Sequence, residues 1–203
     1  MKRAASLVNY GKKNGTSEMS STGEDMEAKT QAELTPLIIS SLRRAYKPDI
    51  VGLLLIGESP PAKGGFFYLK DRKIQMATYT ARAFERAHNV TFRDPEAFLS
   101  YFKATGCYLD DLSDRPVDDL PRSKRDECLM ASVEGVSQRI RDMNPPVIAI
   151  VLKKIEELVK RAVKDSGCDP EVFVLPFAGN HHQNEYVEKL TEIISKNVPP
   201  MSR

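Results

Sequence analysis

Short apolar runs recur along the chain from Leu34 onward, separated by longer segments with helical spacing. Four of these runs predict strands, at residues 50–56, 107–112, 147–152 and 172–175. Short apolar runs of this kind are typical of parallel strands that are covered on both faces. The pattern therefore predicts strands that lie inside a domain rather than on its surface.

Amphipathic helices are predicted between these runs, because apolar residues recur there three and four positions apart. The segments are 34–47, 73–88, 94–106, 122–143, 155–165 and 185–196. Thr35 before Pro36 and Asp94 before Pro95 indicate helix starts, since a capping side chain precedes a first-turn proline. Residues 122–143 are predicted to form one long helix whose inward residues are Leu129, Val133, Val136 and Ile140.

Buried strands that alternate with amphipathic helices predict an α/β fold with three layers, α/β/α, and a central parallel sheet of about four strands. With 203 residues and 41% hydrophobic residues, the chain can bury one sizeable core. Residues 1–33 are rich in Ser, Thr, Gly, Lys and Glu without apolar periodicity. We therefore predict a flexible polar tail over 1–33 and one domain over 34–203.

Composition narrows the classes of partner. The formal net charge is +2, so any nucleic-acid surface has to be local. Its candidate cations, unless they are only solvated, are Lys63, Lys70, Arg72, Lys73, Lys153 and Lys154. Three scattered cysteines favour free thiols in a reducing compartment over disulfides. The longest apolar run is too short to span a bilayer, and the first residues lack a secretory core. We expect a cytoplasmic monomer without a membrane partner.

The loop after the first predicted strand is the strongest candidate site, because ligands of parallel sheets bind at the carboxyl ends of strands. Gly57 permits a tight turn, and Pro60 makes the following residues rigid. Glu58 is a carboxylate directly beyond a buried strand, where loop amides and desolvation can tune it. Aromatic side chains follow that either stack on a planar ligand or begin the core, and both alternatives stay open: Phe66, Phe67 and Tyr68.

A second polar loop follows the last predicted strand and contains Asn180, His181 and His182. Adjacent histidines point in different directions, so they are a poor pair of metal ligands, and no metal site is predicted. One of them can hydrogen-bond a ligand, or Asn180 and one histidine can cap the final helix. No dinucleotide fingerprint, P-loop or Gly-x-Ser-x-Gly nucleophile motif is present, which weakens nucleotide-hydrolase and esterase hypotheses.

The first loop resembles the corresponding loop of the uracil-DNA glycosylase superfamily, and the resemblance covers 34 to about 198. It is carried by the aliphatic strand, the Gly-Glu-Ser-Pro-Pro turn, the Gly-Phe-Phe-Tyr segment and the histidine-containing last loop. In that superfamily the first loop positions a water against the sugar and contacts the base, which implies these roles for Gly57, Glu58, Ser59 and Pro60. The resemblance also implies the superfamily's α/β fold. The three scattered cysteines do not reproduce the cluster-binding pattern of its iron-sulfur members, so no cofactor is predicted.

The other implied site residues follow from the same resemblance. Phe66 or Phe67 corresponds to the aromatic residue that stacks on the base, and Phe67 is favoured. His181 or His182 corresponds to the histidine that stabilises the departing base, and Asn180 to a base contact. Strongly active members carry Asp where this chain has Ser59, which leaves Glu58 as the water-activating carboxylate.

Two functions are therefore expected from the sequence. The first is base-excision repair, in which the chain hydrolyses the N-glycosidic bond of uracil or another deaminated base in single- or double-stranded DNA. The alternative is a fold relative with altered or lost activity that binds a nucleobase, nucleotide or other small ligand in the same crevice.

Overall fold

The computed structural model describes residues 34–71, 73–179 and 181–201. The tail predicted over 1–33 and the side chain of Asn180 lie outside these ranges. In chain order the elements are α1 (Pro36–Tyr46), β1 (Leu53–Gly57), α2 (Gln75–His88), α3 (Pro95–Ala104), β2 (Cys107–Asp111), α4 (Arg122–Ala131), α5 (Val133–Met143), β3 (Val147–Val151), a 3₁₀-helix (Lys153–Ile155), α6 (Glu156–Ser166), β4 (Glu171–Leu175) and α7 (Gln183–Asn197).

The four strands form one parallel sheet in the order β2-β1-β3-β4. Leu53 of β1 pairs with Cys107 of β2 on one side and with Val147 of β3 on the other. Helices flank the sheet, with α2 packed against α7 and α5 against α6. The predicted α/β fold with a central parallel sheet of four strands is confirmed. Because all strands run in one direction, the loops after them meet at one edge of the sheet.

Two helix starts are formed as their sequences predict. The Thr35 hydroxyl accepts a hydrogen bond from the Ile38 N–H at 3.3 Å, and an Asp94 carboxylate oxygen accepts one from the Ala97 N–H at 2.8 Å. In both helices proline occupies the first turn, where its missing N–H costs nothing. These caps satisfy amide groups that a helix start would otherwise leave without partners.

The long helix predicted over 122–143 is wrong, because the chain breaks at Ser132 into α4 and α5. The Ser132 hydroxyl and N–H both donate to the Cys128 carbonyl, at 2.7 and 3.1 Å, and so end α4. The Ser132 backbone stays near helical angles, so the apolar spacing continues through the break. The predicted inward residues are all buried: Leu129, Val133, Val136 and Ile140.

The first strand begins at Leu53 rather than at Ile50, whose side chain is 82% exposed. Its four aliphatic residues, 53–56, are fully buried between the helix layers. Within the described residues, no helix has both the length and the apolar character needed to cross a bilayer.

Tyr68 satisfies the outer edge of β2, the strand at one end of the sheet order. Its hydroxyl accepts from the Leu109 N–H and donates to the Leu109 carbonyl, both at 2.8 Å. The ring is fully buried and lies parallel to that of Tyr46, with centroids 5.4 Å apart. A single phenol thus replaces the missing strand neighbour of Leu109, where unpaired backbone groups would be costly.

We expect Tyr68→Phe to lower the free energy of unfolding by about 2–4 kcal/mol, because two buried backbone groups lose their partner. Urea denaturation measures this change. Tyr46→Phe removes a hydroxyl from the adjacent stacked ring and serves as the control, with an expected change below about 1 kcal/mol. Equal effects of the two substitutions would contradict the edge-capping role.

Candidate active site

A cavity of about 250 Å³ lies at the carboxyl edge of the sheet. The loop after β1 contributes the largest share of its lining, and the ends of the first three strands, α2, the loop after β2 and the segments after β3 and β4 contribute the rest. Its lining residues are Gly57, Glu58, Ser59, Pro60, Pro61, Gly65, Phe66, Phe67, Met76, Leu109, Asp111, Asp118, Val151, Leu152 and Phe177. The structure therefore brings together the predicted site residues of the first loop except Tyr68.

Hydrogen bonds join the loop after β1 to the loop after β2 and hold this wall in place. The N–H groups of Leu112 and Ser113 donate to the carbonyls of Gly57 and Glu58, at 2.8 and 2.9 Å. Further along, the Ala62 N–H donates to the Asp118 carboxylate at 3.1 Å. Rigid loops of this kind preorganise polar side chains before a ligand arrives.

Glu58 is held by two cations from distant elements. Arg125 of α4 donates through Nε to Oε1 at 2.9 Å and through Nη2 to Oε2, while Lys154 of the 3₁₀-helix places Nζ 2.7 Å from Oε1. The hydrogen bond to Glu58 raises the pKa of Arg125. The Glu58 side chain is only 12% exposed, so its charge is compensated by protein groups rather than by bulk water.

Asp111 is a second carboxyl in the cavity lining. One of its oxygens accepts a hydrogen bond from Arg43 Nη2 at 2.5 Å, and burial raises the pKa of Asp111 to about 6 despite the charge of Arg43. The neighbouring Asp110 binds Arg139 at 2.6 Å, and Arg139 also donates to the Asp111 carbonyl at 2.6 Å. Near neutral pH the Asp111 carboxyl can act as a donor when protonated and as an acceptor when ionised.

Gly57 is required where it stands because it is the direct strand partner of Asp111. A Cβ atom at this position would collide with the Asp111 carboxyl. The first residue of the turn therefore makes room for a buried acid, a role distinct from the tight turn predicted from the sequence.

Among the aromatic residues, both predicted alternatives apply to Phe66 and Phe67. They line the cavity, yet they are only 1% and 4% exposed, and the Phe67 ring packs 5.1 Å from Tyr68 in the core. Phe177, in the loop after β4, is the accessible ring, because it lines the cavity and is 43% exposed. Gly179 leaves space for that ring, since a Cβ there would lie 2.9 Å from Phe177 Cε1.

Some predicted site residues lie outside the lining of the cavity. Tyr68 is buried with its hydroxyl engaged by Leu109, so it has no polar atom left for a ligand. His181 and His182 are exposed, and Nδ1 of His182 lies 3.5 Å from a Glu185 carboxylate oxygen in the first turn of α7. The histidine side chains do not cap α7 by hydrogen bonding, because the first turn starts from the His182 backbone.

The sequence interpretation missed Asp111, Arg125 and Phe177. A signal existed for Asp111, since two adjacent acids end an otherwise buried strand. Within 34–71, 73–179 and 181–201, no group of three or more His, Cys, Asp or Glu side chains is arranged to hold a metal ion. Of the three free cysteines, Cys107 is buried, Cys168 half-buried and Cys128 exposed.

Leu152 lines the cavity with a strained backbone, at φ 153° and ψ 113°. A side chain in this region costs about 1–3 kcal/mol and persists where the surrounding structure imposes it. The residue lies between the last residue of β3 and the 3₁₀-helix. This turn leads directly into the 3₁₀-helix that carries Lys153 and Lys154, and Lys154 Nζ lies 2.7 Å from Glu58 Oε1.

The raised pKa of Asp111 predicts a specific dependence of stability on pH. The folded protein binds the Asp111 proton more tightly than the unfolded chain, whose value is near 3.8, so this contribution is complete below about pH 4 and is lost as pH rises through about 6. We expect wild type to lose about 2–3 kcal/mol relative to Asp111→Asn between pH 4 and pH 7. Urea denaturation across this range measures the difference.

Asp114→Asn is the matched control, because it neutralises an exposed carboxylate in the loop after β2. That variant should keep the wild-type slope. An Asp111→Asn protein whose stability runs parallel to wild type at every pH would contradict the buried, raised-pKa carboxyl.

A scan of the chain against protein-family models and a search of curated proteins found no match. The function of the cavity therefore has to be inferred from its geometry. The lining supplies three carboxyl groups and an exposed ring around one small space.

Proposed function

We propose that the protein is a DNA glycosylase that hydrolyses the N-glycosidic bond of uracil or another deaminated base. The observation that carries this proposal is that Glu58, Ser59 and Asp111 line one small cavity. These groups are the minimum for the reaction, since water has to be oriented at the sugar while the base is held. The resemblance of the Gly57–Pro60 turn to the uracil-DNA glycosylase loop supports the same reaction.

The size of the cavity favours a single base over a larger ligand. At about 250 Å³ it lies below the range of roughly 300–1,000 Å³ that is typical of drug-sized ligands. A base in DNA reaches such a cavity only after it leaves the stack, or in single-stranded DNA. The exposed ring of Phe177 offers a surface on which that base can stack.

The chemistry follows from the positions of the two carboxyl groups. The C1′–N bond breaks and the base departs with the bonding electrons. A water oxygen forms a new bond to C1′, and the proton that the water loses is balanced by the proton that the departing base gains. Glu58 and the half-buried Ser59 orient that water, and the Glu58 carboxylate favours the positive charge that develops on the sugar. Asp111 hydrogen-bonds the base from the side of β2. The products are the free base and an abasic sugar.

The two cations on Glu58 favour a second candidate function. A carboxylate whose charge is already compensated by Arg125 and Lys154 attracts a cationic sugar poorly. The alternative is therefore a protein that binds a nucleobase, a nucleotide or another small ligand in the same cavity without hydrolysing it. The two functions share the binding residues and differ in whether Glu58 acts on water.

Base release from oligonucleotides tests the hydrolase proposal. Single- and double-stranded substrates that contain uracil, hypoxanthine or xanthine are incubated with excess protein, and strand cleavage after alkali measures abasic sites. We expect Glu58→Gln to slow release about a hundredfold, because the negative charge beside the sugar is removed. Glu188→Gln, on the exposed face of α7, should keep the wild-type rate.

Full activity in Glu58→Gln would remove the carboxylate from the mechanism. If wild type releases none of the three bases, the binder is favoured instead. Titration calorimetry with free bases and nucleosides then tests that alternative on the same protein.

Phe177→Ala should weaken binding of a base-containing oligonucleotide by about 1–3 kcal/mol, because the stacking surface is lost. Phe177→Leu keeps apolar bulk at this position but not the flat ring, so it should recover only part of the affinity. Fluorescence anisotropy with labelled DNA measures both. Unchanged affinity in Phe177→Ala would exclude this ring as the stacking surface.

A further inference from the structure

The cluster of Arg125, Lys154 and Glu58 has the geometry of an anion site that is occupied by a side chain of the protein. Two nitrogens of the Arg125 fork face the two oxygens of one carboxylate, and the Lys154 ammonium approaches one of those oxygens at 2.7 Å. A fork that binds a carboxylate in this way also matches two oxygens of a phosphate. We infer that Arg125 and Lys154 bind a phosphate of the ligand, and that Glu58 competes with this phosphate for them.

The solvent exposures of the three side chains support the idea that Arg125 and Lys154 can exchange Glu58 for another anion. Arg125 is 26% exposed and Lys154 47%, whereas Glu58 is 12% exposed. The cations can therefore reach an incoming anion from the solvent side, while Glu58 stays in the wall of the cavity. Long Lys and Arg side chains also have the rotamer freedom to change partners without movement of the backbone.

The charges of the neighbourhood decide how strong such a site can be. Asp118 and Asp126 contribute weakly to the raised pKa of Arg125, after the larger effects of Glu58. Positive charges oppose these acids. Arg122 and Lys124 are exposed on α4, and Lys153 is exposed beside Lys154. The balance favours a moderate, salt-sensitive affinity for phosphate rather than a tight one.

The strained backbone at Leu152 is an independent observation on the same site. It leads directly into the 3₁₀-helix that carries Lys154, and a residue at φ 153° is retained at a cost in stability. Binding of an external anion gives the arrangement a use.

This inference rests on the proposed function in one respect, because a phosphate beside a base-sized cavity implies a nucleotide unit as the ligand. A DNA strand and a free mononucleotide both present a phosphate one sugar away from a base. The shared chemistry is a nucleotide phosphate, and the two sources are separated by the probes of the experiment.

Titration calorimetry with four probes tests the phosphate site: inorganic phosphate, deoxyuridine, deoxyuridine 5′-monophosphate and a uracil-containing single strand. In Arg125→Gln and in Lys154→Gln we expect affinity for the three phosphate-bearing probes to fall about tenfold, with deoxyuridine unchanged. Glu58→Gln should act in the opposite direction and raise affinity for the phosphate-bearing probes severalfold, because the competing carboxylate is removed. Lys160→Gln, an exposed lysine paired with Glu156 on α6, is the charge-matched control.

Circular dichroism melts establish that each variant is folded, and Arg125→Lys keeps the charge but not the fork, so its affinity should lie between wild type and Arg125→Gln. If Glu58→Gln raises the affinity for the mononucleotide alone, free nucleotides are the source of the phosphate. If it raises the affinity for the oligonucleotide, the source is DNA. Phosphate affinities that are unchanged in Arg125→Gln and Lys154→Gln, or lowered in Glu58→Gln, would overturn the inference. Absence of base release by wild type would contradict only the hydrolase proposal. The phosphate site is tested separately, because the affinity changes of the Glu58 and Arg125 variants are measured by binding and not by activity.

Discussion

The buried contact between Gly57 and the Asp111 carboxyl determines what the edge of the sheet can do. The two residues are strand partners, and only a residue without a side chain leaves room for the acid. Asp111 in turn stays inside the protein because Arg43 of α1 reaches it across the layer. A buried acid next to a parallel strand end gives the cavity a polar group on a side that would otherwise be apolar, and it links the first turn of the site to the position of α1.

Charge compensation extends this principle around the cavity. Asp110 is held by Arg139 of α5, and Glu58 by Arg125 of α4 and Lys154 of the 3₁₀-helix. Such pairs add little net stability, because desolvation offsets their attraction, but removal of one partner leaves an uncompensated buried charge. The helices on the α4–α5 side therefore owe part of their placement to the acids at the strand ends as well as to their apolar faces.

Features whose residues lie close together along the chain could be predicted from the sequence, and contacts between residues far apart along the chain could not. Strand and helix patterns are local, and so are the Thr35 and Asp94 caps, which is why the α/β fold was predictable. The partner of Glu58 lies 67 residues away, and no local pattern distinguishes Arg125 from the other basic residues of α4. The break at Ser132 was not predictable, because the apolar spacing continues across it. The histidines of the last loop were predicted as site residues because polar residues directly follow a buried strand there, but both lie outside the cavity lining.

In the proposed base release, the compensated state of Glu58 would connect hydrolysis to ligand binding. While Arg125 and Lys154 bind the Glu58 carboxylate, they compensate its charge, so it would stabilise positive charge on the sugar only weakly. If a phosphate draws both cations away, Glu58 is left negative and largely covered, next to the position at which positive charge develops on the sugar. A nucleotide would then activate the carboxylate that acts on it, whereas a nucleoside without phosphate would bind in the same cavity and leave Glu58 compensated. Under this coupling, discrimination between nucleotides and nucleosides appears in the rate of base release more than in the contacts made to the base.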